Sequence, residues 1–409
     1  MKILFFTQFY KPETMAASFR ASENAKIWKE NGHEVTIFTL YPNYPYGKIF
    51  EGYNPSLISE ETIDGIQVIR SKIIPKPNKG TASRLWNFFN YFLFGIVNIV
   101  FNRKRFNDKY DVVLGTSGGI FFALLGYIYS RLHHINFIFE IRDLTYVQMI
   151  ATGKKENSLG VKVMKWLELY LCKKAKAIVT VTHGFKEVLI SQGIFENKIY
   201  VITNGVDISK GTSKKVHDGI VLGYFGTLGI SQNIRDTFPL FEEMRNERNN
   251  LEYLIIGEGA QRNLIEEEIK VEGYEGITLL HGMSPTDLEP YYEGIDFSVI
   301  ILRKKDSFKY TIPSKVFQAM GRGLPVLFYG PDGEAAEIIR SAKAGIVLCG
   351  TLEEDKKILT EFLQQENLDG RLNDMGRNGR EYVLANYSRA NLANDYLHVL
   401  EFVGNYKVK

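Results

Sequence analysis

The sequence predicts an α/β protein made of two doubly wound domains in tandem. Three observations predict it. The chain has 409 residues, enough for two domains at roughly 100–200 residues each. Short runs of β-branched and aromatic residues alternate with longer amphipathic segments, the signature of parallel βαβ units. A polar stretch over 204–218, containing Gly205, Ser209, Gly211 and Ser213, interrupts the alternation, which then restarts.

Each expected element is a periodic run bounded by turn-forming residues. In the first domain, strands are expected over 2–6, 35–39, 67–70, 112–115, 137–140, 177–181 and 200–203. Helices fall between them over 18–30, 83–102, 121–132, 159–174 and 185–191. In the second, strands are expected over 220–225, 253–256, 277–280, 297–302, 325–328 and 346–348. Helices are expected over 234–246, 264–271, 287–292, 314–322 and 334–342, with one more from 353 nearly to the end. Open sheets of this kind bind ligands beyond the carboxyl ends of their strands, which is where a cleft between the domains is expected.

Composition narrows the classes. Hydrophobic residues at 45% and charged residues at 24% are ordinary for a globular chain. A net charge of +3 is too small for a nucleic-acid protein, so no nucleic-acid partner is expected. Cys172 and Cys349 form neither a disulfide framework nor a zinc spacing. The opening apolar run stops at Thr7-Gln8, shorter than a signal peptide requires, and reads as a buried strand in a reducing, cytoplasmic compartment.

The strongest chemistry lies between Ser307 and Val347. Pro313 suits a first helical turn, and Ser314 and Lys315 follow it. Free N–H groups of that turn, the Ser314 hydroxyl and the Lys315 ammonium together suit a phosphate. A second loop, Gly330-Pro331-Asp332-Gly333-Glu334, opens another helix, its glycines letting backbone approach a ligand. Both loops read equally as tight starts to helices. Arg303, Lys304, Lys305 and Lys309 cluster beyond a strand, Arg303 nearest it, where a diphosphate would meet positive charge; a solvated loop is the alternative, and the simpler one for any single lysine. Gly257-Glu258-Gly259 resembles a dinucleotide fingerprint, but Arg262 stands where the third glycine belongs, which argues against NAD. The chain has no Asp-x-Asp and no His/Cys ligand cluster, so no metal site is expected.

In order and spacing these motifs resemble the GT-B-fold glycosyltransferases of family 4, over nearly the whole chain. The resemblance runs through Tyr10-Lys11-Pro12-Glu13, Asn31-Gly32-His33-Glu34-Val35-Thr36, Ile202-Thr203-Asn204-Gly205-Val206-Asp207, Tyr224-Phe225-Gly226-Thr227-Leu228-Gly229 and Ile255-Ile256-Gly257-Glu258-Gly259. It is completed by Pro313-Ser314-Lys315-Val316-Phe317-Gln318-Ala319-Met320 and Gly323-Leu324-Pro325-Val326. It implies two Rossmann-like domains facing across a cleft: an acceptor domain over 1–207, joined by a final helix over 388–409, and a nucleotide-sugar domain over 218–387. It implies retaining transfer from a UDP-sugar, metal-independent and without a protein nucleophile. Thr227, Gly257, Glu258 and Gly259 would lie about the nucleotide, as would Arg303, Ser314, Lys315, Gln318, Gly333 and Glu334.

Two departures bear on the site. Many members carry two glutamates where Tyr310 and Gln318 stand, and Arg and Lys where Thr227 and Gln232 stand. Lys315 and Arg303 are the candidates to supply the missing cations. In Tyr41-Pro42-Asn43-Tyr44-Pro45-Tyr46-Gly47-Lys48 and Glu140-Ile141-Arg142-Asp143-Leu144 the chain is similar to the subgroup that includes the proposed N-acetyl-L-fucosamine transferases of O-antigen and capsule assembly. Arg142 and Asp143 follow a strand, where many relatives carry a His-Asp pair. Asp143 is expected to orient an acceptor hydroxyl and Arg142 to pair with a phosphate, Lys315 completing the catalytic set; an ordinary Arg–Asp pair capping the next element is the alternative. Glu13 and Thr14 are further candidates. Two alternatives stay open: a UDP-sugar epimerase of the same fold, and a non-catalytic nucleotide-sugar-binding assembly protein.

The segment 85–101 is unusually apolar. Its seventeen residues span ~26 Å as a helix, short of a ~30 Å hydrocarbon core. Asn87, Asn90 and Asn98 fall on one side, the remaining arc is apolar, and Arg103, Lys104 and Arg105 follow. The region 84–105 is expected to lie in a membrane interface, which suits a lipid-diphosphate-linked saccharide acceptor. Burial of this helix against the sheet is the alternative.

Overall fold

The computed structural model describes residues 1–77, 81–102, 106, 109–151, 153–206, 219–247 and 250–405. Most of the expected linker, with the boundary at 207–218, lies outside the described residues, as does the basic run Arg103-Lys104-Arg105. The chain forms two compact units: Met1–Met149 with Lys154–Thr203 and Ala390–Lys409, and Ile150–Gly153 with Asn204–Arg389.

In the first unit, β1 (Lys2–Phe6), α1 (Ala16–Glu30), β2 (Glu34–Leu40), β3 (Ile58–Ile63), β4 (Ile66–Ser71) and α2 (Thr81–Phe101) come first. Then follow β5 (Val112–Thr116), α3 (Ile120–His133), β6 (Asn136–Ile141), α4 (Thr145–Ala151), α5 (Leu159–Lys174), β7 (Ala177–Thr180), α6 (His183–Ser191) and β8 (Ile199–Val201). The sheet order is β3-β4-β2-β1-β5-β6-β7-β8. Successive strands step outward in both directions from β1 and β5, so the crevice where the order reverses lies between those two strand ends. Ile3, Leu4, Phe5 and Phe6 of β1 are buried on both faces, as a central parallel strand demands.

In the second unit, β9 (Ile220–Phe225), α7 (Phe238–Glu247), β10 (Leu251–Ile256), α8 (Arg262–Glu272), β11 (Ile277–Leu280), α9 (Pro285–Tyr292) and β12 (Phe297–Ile301) are followed by α10 (Ser314–Gly321), β13 (Val326–Tyr329), α11 (Glu334–Ser341), β14 (Gly345–Leu348), α12 (Leu352–Leu363) and α13 (Leu368–Asn386). All six strands are parallel in the order β11-β10-β9-β12-β13-β14, with the reversal between β9 and β12.

The single helix expected from 353 onward is three helices. The first helix ends at Leu363, and Asn367, left-handed at φ 54° as Asn tolerates, starts the next. At the second break, Tyr387 and Arg389 give their backbone groups to Val206. The last helix, α14 (Arg389–Gly404), returns to the first unit from Ala390. There Trp28 Nε1 donates to the Ala393 carbonyl at 3.0 Å and its ring meets Tyr396 edge-on. The helix expected over 234–246 is a 3-10 turn, Ile234–Thr237, before α7, because Pro239 cannot donate to an α-helical ladder running through it. The strand β3 was not expected. It pairs antiparallel with β4 through the turn Asp64-Gly65, both residues at positive φ.

Helix α2 inverts the usual arrangement. Its asparagines face inward. Asn87 pairs both amide atoms with the backbone of Lys76 at 2.8 Å, Asn90 bonds Ile74, and Asn98 donates to the Leu57 carbonyl and Ser71 Oγ. Its apolar arc faces outward, with Leu85 at 61%, Phe89 at 66% and Leu93 at 47% exposure. Among the described residues no helix is long and apolar enough to cross a membrane.

Candidate active site

The second unit assembles the donor candidates at its order reversal. The loop after β9 turns through Gly226 at φ 153° and runs to Leu228. Lys315, in the first turn of α10, reaches over that loop. A Cβ on Gly226 would collide with Lys315 Nζ, so only glycine leaves the ammonium its place. The ammonium lies 4.6 Å from the centre of the Tyr224 ring. Tyr224 is itself fixed by a 2.6 Å hydrogen bond from its hydroxyl to the Thr227 carbonyl. Burial pushes the Lys315 ammonium down to about 8. No hydrogen bond or carboxylate partner of this ammonium is found among the described residues.

Arg303 stands on the other side of the reversal, two residues past β12. Its N–H donates to the Ser231 carbonyl at 2.9 Å, tying the two loops together, and its side chain is part-exposed. Ser314 opens α10, and Pro313, expected inside the first turn, stands one place before it in extended conformation. Gln318 lies one turn on from Ser314, exposed on the same helix. Thr227 is exposed in the loop after β9. Lys304 is not free for a ligand: it is held by Asp355 and by the Gly350 carbonyl.

Gly257 and Gly259 pack against this chain's own backbone. Each lies so close to the Gly226–Leu228 backbone that a Cβ would strike a carbonyl there, and Leu228 N donates to the Glu258 carbonyl at 2.8 Å. They are the floor on which the Lys315 loop rests. The Glu258 carboxylate turns to His281 Nδ1 at 2.7 Å and the Gly282 N–H at 3.3 Å. Arg262 lies across the same loop, donating to the Gly257 and Leu280 carbonyls at 2.8 Å, where a third glycine would leave space for a dinucleotide. Gly333 and Glu334 lie one strand farther from the reversal. What approaches Gly333 closely is the Lys309 backbone, and the Glu334 N–H donates to the Lys309 carbonyl at 3.1 Å, so one N–H of this helix start is taken from within.

In the first unit, Arg142 and Asp143 follow β6 and are organised by a residue that sequence reasoning missed. Ser117, just after β5, accepts from the Arg142 N–H at 2.9 Å and the Asp143 N–H at 3.4 Å, and donates to the Asp143 carbonyl. Ser117-Gly118-Gly119 is a strand-to-helix turn at the order reversal, a signal present in the sequence. Arg142 Nη1 lies 3.7 Å from where a Gly118 Cβ would stand. Burial lowers the Arg142 guanidinium, with Glu140 opposing. Burial pushes the Asp143 carboxyl up to about 6, against the pull of Arg142 and a hydrogen bond from Gln148. Glu168 of α5 supports the same loop from below. It accepts from the Thr145 N–H at 2.8 Å and the Tyr146 N–H at 3.3 Å, capping α4, and burial pushes it up to about 7.

Glu13 is buried in the first unit and clasps the loop after β2, accepting from the Asn43 and Tyr44 N–H groups at 2.9 Å. Thr14 is exposed. Among the described residues no cluster of three or more His, Cys, Asp or Glu could hold a metal ion.

Two sequence profiles cover most of the chain. The one described as Glycosyltransferase Family 4 matches residues 21–210, and the one described as Glycosyl transferases group 1 matches residues 219–364. An uncharacterized glycosyltransferase of Methanocaldococcus jannaschii is 21% identical, over 99% of both chains. The Escherichia coli K12 protein WcaI, provisionally named a colanic acid biosynthesis glycosyltransferase, is 19% identical over 79% of this chain and 82% of its own. Among solved structures, sucrose-phosphate synthase from Thermosynechococcus elongatus superposes with TM-score 0.73 at 13% identity, over 98% of each chain. Anabaena HepE in complex with UDP superposes with TM-score 0.69 at 14% identity, covering 98% of this chain and 100% of its own. Fold and matches together define a glycosyltransferase of the two-domain GT-B type. Within that class the chain belongs to glycosyltransferase family 4.

Proposed function

We propose that the protein is a retaining glycosyltransferase that takes a sugar from a UDP-sugar, without a metal, and passes it to a lipid-diphosphate-linked saccharide in surface-polysaccharide assembly. The observation that carries the reading is Lys315: a mostly buried ammonium at the order reversal with no anionic partner among the described residues. A buried cation without a counter-ion is costly unless a ligand supplies the charge, and a nucleoside diphosphate supplies it. In this reading the ammonium, the Ser314 hydroxyl and the open N–H groups of α10 take the diphosphate, and Arg303 adds charge as it departs. Gln318 bonds the ribose hydroxyls. The HepE complexes with UDP and UDP-glucose favour UDP as the nucleotide.

Asp143 would orient the acceptor hydroxyl and Arg142 would pair with a phosphate. No protein nucleophile is needed, since the leaving diphosphate accepts the acceptor proton on the same face. Positioning and charge stabilisation then carry the rate. The donor sugar proposed is an N-acetylated deoxyhexosamine such as N-acetyl-L-fucosamine, on the likeness of the 41–48 and 140–144 segments to that subgroup. The protein is proposed to work at the cytoplasmic face of the membrane, resting on it through the outward apolar arc of α2.

The test is calorimetric titration with UDP, GDP, CMP and dTDP in EDTA, then turnover of UDP-sugars with and without a lipid-linked acceptor. UDP binding with acceptor-dependent turnover is expected. Donor conversion without acceptor would make the protein an epimerase, UDP binding without any turnover would make it a non-catalytic assembly protein, and binding of no nucleotide would remove the donor site.

A further inference from the structure

The surface of the first unit carries a second apolar stripe that the membrane reading of α2 does not use. On α5, Leu159, Val163 and Trp166 follow at helical spacing and are 78%, 51% and 64% exposed. Helix α3 joins the two stripes. Phe92 of α2 packs on Phe121 of α3 at 5.7 Å, Tyr127 of α3 on Tyr170 of α5 at 5.8 Å, and Trp166 stacks on Tyr170 at 5.5 Å. Ring contacts therefore tie α3 to α2 through Phe121 and to α5 through Tyr127.

The charges on these helices have one sign. Neither α2 nor α3 contains an Asp or Glu, and the only one in α5, Glu168, is buried at 1% exposure beneath Thr145 and Tyr146. Arg131, Lys162, Lys173 and Lys174 are exposed. A self-complementary contact between two copies would set these cations against their own kind. A surface of anionic headgroups over hydrocarbon meets both features: the lysines face phosphate and the apolar side chains enter the acyl boundary, with Trp at the level it favours.

We propose that α2, α3 and α5 form one docking face for an anionic phospholipid surface, with Leu159, Val163 and Trp166 inserted alongside α2. The proposal rests on the membrane reading of α2 and extends it to a face three helices wide. Contact through two separated helices fixes the orientation of the unit on the bilayer, which one helix leaves free to roll.

The experiment uses vesicles of phosphatidylcholine alone and vesicles that also contain phosphatidylglycerol. It compares the parent protein with the pair Val163→Ser/Trp166→Ser on α5 and the pair Leu85→Ser/Phe89→Ser on α2, each first shown to melt like the parent. The α5 pair should lose about tenfold or more in affinity for the anionic vesicles, the scale of removing two inserted side chains. In a Trp86→Phe protein, emission should shift to shorter wavelength on adding anionic vesicles. Trp166 is then the reporter, because the remaining tryptophan, Trp28, is already fully buried. If the α5 pair binds like the parent while the α2 pair does not, the extension falls and the α2 reading stands. If the parent binds neither vesicle, both fall. If the α5 pair instead abolishes self-association of the parent, the face belongs to a second copy and the proposal is overturned.

Discussion

Lys315 is held by an aromatic ring beneath it and a glycine beside it, and both matter to what the ammonium does. Desolvation favours its neutral form, while a diphosphate against it favours the charged one. UDP affinity should therefore be flat below about pH 8 and fall by up to about tenfold per pH unit above it, as binding comes to require proton uptake. Affinity that stayed level to pH 10 would mean that Lys315 does not face the diphosphate. Lys315→Ala should cost about 1.5–3 kcal/mol of UDP binding, the worth of a charge-assisted hydrogen bond, in a protein that melts no lower than the parent. Gly226→Ala should reproduce much of that loss without touching the lysine, because the new methyl takes the space of the ammonium. The sequence disclosed Ser314, Lys315 and Arg303 as charge and hydroxyl beside a helix start. It could not disclose that Tyr224 and Gly226 hold the lysine, since that contact spans some ninety residues and depends on β9 and β12 being neighbours. Gly257, Gly259 and Gly333 were legible as glycines needing close approach. What approaches them is this chain's own backbone, and nothing in a single sequence distinguishes that from a ligand.

At the scale of elements, legibility followed the continuity of the apolar pattern. β1, β9, β11 and α5 run over the expected residues, because each is an unbroken periodic run. β3 was missed because Glu60, Glu61 and the partly exposed apolar residues around them dilute the alternation, although Asp64-Gly65 announced a hairpin. Two devices hold elements by buried polar groups and make predictions of their own. Asn90 satisfies the Ile74 backbone and the Trp86 carbonyl, so Asn90→Leu should destabilise the first unit by about 1–3 kcal/mol in urea denaturation, despite the gain in apolar surface. Glu168 has its carboxyl raised above the unfolded value. Its folded form holds the proton more tightly, so its contribution to stability is whole below about pH 4.5 and is lost as the pH rises through about 7. A Glu168→Gln protein should accordingly show a flatter pH dependence of melting between those values. Identical profiles for the two proteins would place the titration elsewhere.

Each unit of the whole molecule has its own apolar core. Two thermal transitions are therefore expected, with UDP raising only the one that belongs to the second unit. Removing residues 390–409 should lower the other, because Trp28, Tyr396 and Leu400 are fully buried and share one core. A single transition shifted as one by UDP would show that the units melt together.

The return of α14 also sets an order of events in synthesis. Strands and helices up to Thr203 emerge first, but the helix that covers Trp28 is translated only after the entire second unit. At ~5–20 residues per second the ribosome takes roughly 10–40 s to cross that stretch. Throughout it, the α1 face waits with its tryptophan and alanines unshielded, while the unit translated in the interval can close first. A ribosome that stalls anywhere between Asn204 and Arg389 thus releases a product whose first unit lacks the helix that covers Trp28.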